Sequence, residues 1–314
     1  MTRSGADAAG HWSDYWRDAR PEVMTLGAAG GARPFEAREL WVSFFAGLPD
    51  GARVIDLATG GGQVAGYACD AARAHGRRFE VVGVDYAELP PHRGAFQLMG
   101  GVRLEQLPFA AASFDAASSQ FGIEYADHRS ALAELARVLK GGAPAQLLMH
   151  HDRSAITEQA RVQLAALERV EADGALMRLA RQAFRAHQAG QSADRVTAAE
   201  TAFRNGLNRA HARMGDDPRA LTARQYLDFM GDLARRTSAY KPQSALESLA
   251  RAADANAAWR RRQHSQIRSA LDETGIQKFA DHARGSGLTV EPFQDMRDDR
   301  GALIGWLVRM QREG

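Results

Sequence analysis

The chain has 314 residues, 45% of them apolar and 25% charged. That length suits one large domain or a core with an elaboration, and the composition excludes collagen-like, coiled-coil and wholly disordered readings. Forty basic residues against thirty-eight acidic ones leave a formal charge of +2, so no overall field draws the protein to nucleic acid or to an anionic membrane.

Residues 1–50 read as an amphipathic helical cap, with Trp12, Tyr15 and Trp16 in one turn and a later cluster of Leu40, Trp41, Phe44 and Phe45 that ends at Pro49-Asp50-Gly51. They lack the apolar core of a leader, and no later run approaches the length of a membrane span. The single cysteine, Cys69, excludes an intrachain disulfide and a cysteine-based zinc site. The expectation is a cytoplasmic protein without a membrane association, and the sequence leaves an oligomer open.

From 52 to 150 short apolar runs alternate with helical patterns. Ala52–Leu57, Phe79–Val84, Phe114–Ser118 and Ala145–Met149 read as strands, and Ala131, Leu132, Leu135, Val138 and Leu139 form a helical stripe before the stop at Lys140-Gly141-Gly142. Strand and helix in this rhythm imply right-handed crossovers and a parallel sheet. Residues 152–284 contain five or six helices and almost nothing strand-like. Beyond Gly285-Ser286-Gly287, Leu288–Phe293 and Ala302–Met310 return as strands joined by a charged turn, an antiparallel ending to the sheet. The fold expected is α/β: a doubly wound, Rossmann-like, mostly parallel sheet over 51–151 and 285–314 with a C-terminal antiparallel hairpin, plus an all-helical insertion over 152–284.

The strongest local signal is Val54-Ile55-Asp56-Leu57-Ala58-Thr59-Gly60-Gly61-Gly62. A strand that runs into glycines and then a helix lets a ligand lie against bare main chain at a helix N-terminus. A second apolar strand ends in Asp85, 23 residues after Gly62, where an acid can accept hydrogen bonds from both hydroxyls of a ribose. A dinucleotide-binding dehydrogenase and an S-adenosylmethionine enzyme share these features. A Walker-type phosphate loop is excluded, because no Gly-Lys-Ser/Thr follows.

Asp56 within the first strand, Glu105-Gln106-Leu107-Pro108-Phe109, Ser113-Phe114-Asp115 and the terminal strand pair together resemble the class I S-adenosylmethionine-dependent methyltransferases. The resemblance spans about 50–150 and 285–314. It implies that Asp56, Ala58, Thr59, Gly60 and Gly62 cradle the methionine end of S-adenosylmethionine, that Asp85 holds the ribose and that Tyr86 lies near the adenine. Alignment on Leu107-Pro108-Phe109 puts Arg103 where relatives carry the acid that bonds the adenine amine, and Glu105, with Gln106 and Leu107, is the expected substitute. Ser119-Gln120-Phe121-Gly122 falls where relatives line the cofactor pocket, with Gln120 the expected contact, and Trp16 where an N-terminal aromatic closes over it. Ala58 replaces a family glycine, which costs little if its φ stays negative. Only sixteen residues, with Pro90-Pro91 among them, separate Asp85 from Val102, so the second crossover helix is expected to be short or missing.

Methyl transfer is an in-line displacement that needs alignment, exclusion of water and, for a hydroxyl or ammonium, removal of a proton. Glu124 and Tyr125 follow the fourth strand and His150 and His151 the fifth, which places them at the carboxyl rim as candidate catalytic groups. Adjacent strand residues point to opposite faces, so one histidine at most should meet the pocket, and no metal is expected. The leading expectation is methyl transfer to an oxygen or nitrogen of a small organic substrate, with the helical insertion as a lid. Two other readings stay open: an RNA or protein methyltransferase docking through Arg260-Arg261-Arg262, with nucleic acid the less favoured partner, and a non-catalytic S-adenosylmethionine-binding sensor or interaction protein.

Overall fold

The computed structural model describes residues 37–314 except 173, together with 12, 13, 15, 16, 25, 26, 33 and 34. Trp12, Ser13, Tyr15 and Trp16 are helical, whereas residues 25–26 and 33–34 are extended, unlike the continuous helical cap expected; the rest of 1–36 lies outside the described residues. The elements that follow are α1 (Arg38–Ala46), β1 (Arg53–Leu57), α2 (Gln63–Ala74), β2 (Glu80–Val84), β3 (Gln97–Met99), β4 (Ala116–Gln120), α3 (His128–Val138) and β5 (Pro144–His150). Six helices come next: α4 (Ala155–Glu171), α5 (Ala175–Gln188), α6 (Ala193–Met214), α7 (Leu221–Arg235), α8 (Pro242–Ser269) and α9 (Glu273–Gly285). Strands β6 (Leu288–Val290), β7 (Gln294–Arg297) and β8 (Leu303–Arg312) end the chain. Its contacts divide the described chain into two units, one with 34–158 and 265–314, the other with 159–264.

The first unit is built on an eight-stranded sheet in the order β3-β2-β1-β4-β5-β8-β6, with β7 also paired to β8. Strands β1 to β5 are parallel, and β8 runs antiparallel to β5 with Gly305 opposite His150. No helix stands between β2 and β3 among the described residues, as the short proline-bearing stretch led one to expect. Period-two alternation sorts side chains to two cores. Ile55, Val82, Ala117, Leu147, Met149 and Val308 face one side, where Leu132 and Leu135 of α3 and Phe279 of α9 cover them. Val54, Val81, Ala116 and Leu148 face the other, beneath Trp41 and Phe45 of α1 and the alanine face of α2. Ile304 joins that second core although Trp306 and Val308 join the first, and the register shift between Leu303 and Gly305 accounts for the change of side.

The insertion is shorter than the 152–284 expected. Helix α9 lies in the first unit, with Ile276, Phe279 and Ala283 in the core against α3. The second unit has its own core of Leu167, Phe184, Phe203, Leu227, Met230 and Leu249. Within it Glu171 accepts from Asn256 at 2.8 Å and pairs with Arg260 at 2.9 Å, so the first arginine of the run is held internally.

Candidate active site

The strand order reverses between β1 and β4, and ligands of doubly wound sheets bind at such a switch point beyond the carboxyl ends of the strands. There the chain leaves β1 through Ala58, Thr59 and Gly60 and enters α2 after Gly62. Gly60 and Gly62 have φ of 51° and 80°, and Ala58 has φ of 51°. The expected negative φ at Ala58 is therefore wrong: an L residue sits in left-handed backbone, which glycine would occupy without strain. Its methyl fills the space beside Gly122, where a Cβ would come within 2.3 Å of the Ala58 Cβ.

Two buried acids order this loop. Asp56 accepts from Thr59 Oγ1 at 2.6 Å and from Ser118 Oγ at 2.7 Å, beneath the loop rather than in the open. Burial pushes its carboxyl up to about 6, against the two hydroxyls that pull it down. Asp85 ends β2, where its Oδ2 accepts from the Gly60 N–H and its Oδ1 from the Ala87 N–H, both at 2.8 Å. Burial raises this carboxyl too. The Tyr86 N–H adds a third backbone bond, and the carboxylate, with about four lone-pair sites, keeps room for a further donor.

Asp85 opens onto a cavity of about 280 Å³. Tyr86, Leu104 and Glu105 share its wall with Asp85, and Ala58 and Gly122 form the part nearest the loop. The Arg103 guanidinium lies over the Tyr86 ring at 5.4 Å and its Nε stands 3.5 Å from Glu105 Oε2, so the position that carries an acid in relatives holds a cation paired with the neighbouring acid. Glu105 Oε1 accepts from the Asp127 N–H at 3.0 Å. Trp12, Trp16, Phe121 and Tyr125 make the wall aromatic, and Ser265 adds a hydroxyl. Trp16 lies flat enough on the loop that a Cβ at Gly60 would meet its ring at 2.2 Å.

Several residues singled out from the sequence lie elsewhere. Gln120 points to the α1 face of the sheet, where its Oε1 accepts from Trp41 Nε1 at 2.6 Å. Leu107 is buried, with its N–H given to Glu134 Oε2 at 2.7 Å and its carbonyl held by Arg137, and Gln106 is exposed in the turn before it. Neither is on the cavity wall. His151 stacks on Trp306 at 4.3 Å on the opposite face of the sheet. His150 lies one ring behind the cavity: Phe121 stacks on it at 4.5 Å and Tyr125 meets it edge-on at 6.0 Å. Burial pushes this imidazole down to about 3, and its Nδ1 has no hydrogen-bond partner among the described residues. Glu124 is also buried behind the wall, with Oε1 accepting from the His150 N–H at 2.7 Å and Oε2 without a partner among the described residues. Burial pushes its carboxyl up to about 7, although backbone N–H groups pull it down. Tyr125, half-buried beside Glu124, is the one of the four catalytic candidates that lines the cavity, and its hydroxyl is raised well above the usual range by burial and by that carboxyl. Phe121 and Gly122, from the stretch expected to line the pocket, and Arg103, at the expected adenine position, are on the wall, whereas Ser265 was not anticipated there.

Residues 55–145 match the family model described as a methyltransferase domain. Over these residues the chain carries a methyltransferase domain. Over 142 residues it is 31% identical to the ubiquinone/menaquinone biosynthesis C-methyltransferase UbiE of Geobacter sp. (strain M21), a match over 42% of this chain and 57% of that protein. The chain thus spans little more than half the length of this curated relative. Among solved structures it is similar to Burkholderia thailandensis 1,6-didemethyltoxoflavin-N1-methyltransferase with bound 1,6-didemethyltoxoflavin and S-adenosylhomocysteine: 10% identity, 100% of this chain, 92% of that one, TM-score 0.47. It is also similar to the complex between the Haloferax volcanii Trm112 methyltransferase activator and a methyltransferase: 24% identity, 45% of this chain, 60% of that chain, TM-score 0.33. Among the described residues no helix is long and apolar enough to cross a membrane.

Proposed function

We propose that the protein transfers a methyl group from S-adenosylmethionine to an oxygen or nitrogen of a small organic molecule. The observation that carries this reading is Asp85: a carboxylate on the cavity wall at the switch point, tied to the glycine loop through Gly60 N–H and with room left for a ribose hydroxyl. Tyr86, Leu104 and Glu105 would hold the adenine, and the main chain of Ala58, Thr59, Gly60 and Gly62, with Trp16, the methionine arm. When bound, the cofactor supplies a methyl carbon made electrophilic by its sulfonium. The chain's own work is to exclude water with its aromatic wall, to align the acceptor and to take up a proton. Glu124, raised to about 7, is a proton sink one side chain behind the wall, and Tyr125 stands between it and the cavity. His150 and His151 serve as packing for Phe121 and Trp306 in this scheme, since neither lines the cavity.

A carbon acceptor is the second reading, favoured by the Geobacter relative, which is named a C-methyltransferase. An RNA acceptor is less well supported, because Arg260 of the docking run is committed to Glu171. The test is incubation with methyl-labelled S-adenosylmethionine and, in parallel, a panel of phenols and amines, total RNA and denatured protein. Label in phenol or amine products supports the reading. Label in RNA or protein alone, or no transfer while the cofactor binds, overturns it.

A further inference from the structure

The cavity wall has two chemically distinct parts. Its charged groups, Asp85, Arg103 and Glu105, gather around Tyr86, with Arg103 over that ring at 5.4 Å and 3.5 Å from Glu105. The rings of Trp12, Trp16, Phe121 and Tyr125 line the cavity as well. Trp12 meets Tyr125 edge-to-face at 5.8 Å and 86°, Tyr125 meets the buried His150 edge-on, and Phe121 lies flat on the same imidazole with 17° between planes. Trp12, Phe121 and Tyr125 are thus locked against one another, two of them through one uncharged histidine. Phe121 holds its place with a φ of 54°, a left-handed backbone that a bulky residue rarely adopts and that persists where the surroundings enforce it. A rigid aromatic corner gives up little side-chain freedom when a flat partner docks on it.

The adenosine part of the cofactor accounts for the charged part of the wall; the carboxylate of its methionine arm would gain from backbone N–H groups at the start of α2, and its sulfonium from the Trp16 ring on the loop. We infer that the corner formed by Trp12, Phe121 and Tyr125 binds the methyl acceptor, and that this acceptor is a planar, uncharged aromatic molecule. The inference rests on the methyltransferase reading and narrows it. Ring-on-ring packing adds to simple burial, and an unpaired anion loses its hydration on entering a wall of this kind.

Calorimetry on the full chain with saturating S-adenosylhomocysteine tests it, with naphthol, its saturated decalol analogue and naphthyl phosphate as probes. Naphthol should bind about tenfold more tightly than decalol, and naphthyl phosphate more weakly than naphthol. Trp12→Leu should abolish the preference for naphthol over decalol, and a preference that survives it overturns the inference. Equal affinity for naphthol and decalol, no binding of either, or tighter binding of the phosphate overturns the inference even if S-adenosylhomocysteine binds. Failure of S-adenosylhomocysteine itself to bind overturns the underlying reading instead.

Discussion

Ala58 and Gly122 should behave as a coupled pair. Ala58 is held at φ 51°, and a Cβ at Gly122 would lie 2.3 Å from the Ala58 Cβ. Left-handed backbone costs an L residue roughly 1–2 kcal/mol, whereas alanine in place of glycine saves about 0.4–1 kcal/mol of unfolded-chain entropy, so Ala58→Gly should leave stability unchanged or raise it by about 1 kcal/mol. Gly122→Ala in the natural background forces two methyls into one space and should cost about 1–3 kcal/mol. In the Ala58→Gly background the nearest remaining neighbours of the new methyl are the residue-58 carbonyl oxygen at 3.3 Å and Ser119 Oγ at 3.4 Å, which need give only slightly. The double variant should therefore recover most of the loss, with a coupling of about 1–3 kcal/mol. Urea denaturation of the four proteins measures it. Additivity within about 0.5 kcal/mol would refute the contact and the strain together.

Other expectations follow from the buried groups. Glu124, near 7 when folded and near 4.5 when unfolded, is neutral in both states at low pH and lowers stability as pH rises through 7. Glu124→Gln, which keeps the acceptor for the His150 N–H, should match the natural protein near pH 4 and exceed it by roughly 3 kcal/mol at pH 8; an unchanged difference across that range contradicts the shift. His150, pushed down to about 3, should show no imidazole titration in its NMR spectrum between pH 8 and pH 5, and a midpoint near 6.5 would mean the ring is not sealed behind Phe121. Arg103→Ala removes an exposed cation and should change S-adenosylhomocysteine affinity less than fivefold, whereas Glu105→Gln should cost about tenfold; the reverse order would make Arg103 the adenine contact.

The parallel core was legible because Val54–Leu57 and Val81–Val84 are largely apolar runs closed by glycine or acid, and the C-terminal strand because Ala302–Met310 is a nearly continuous apolar run. Strand β7 was missed: Gln-Asp-Met-Arg carries no apolar alternation, and pairing with β8 alone makes it a strand. Helix α9 was placed in the insertion because periodicity reveals an apolar face but not the core that will receive it. Gln120 shows the same limit at the site. It is the last residue of β4 rather than the first beyond it, and the even-numbered face of that strand looks toward α1, where Trp41, 79 residues away, claims its oxygen. For His150 and His151 the opposite-face rule held, yet Phe121 covers the one that faces the site, and no local pattern announces a stack formed between β4 and β5.

The central claim is that Asp85 and the loop after β1 form an S-adenosylmethionine site, and calorimetric titration with S-adenosylmethionine and S-adenosylhomocysteine tests it most directly. Micromolar binding of both is expected, and Asp85→Ala, which removes two charge-assisted hydrogen bonds, should weaken it by at least about 100-fold while circular dichroism stays unchanged. Folded protein that binds neither ligand at millimolar concentration, or an Asp85→Ala variant that binds as well as the natural protein, would contradict the account.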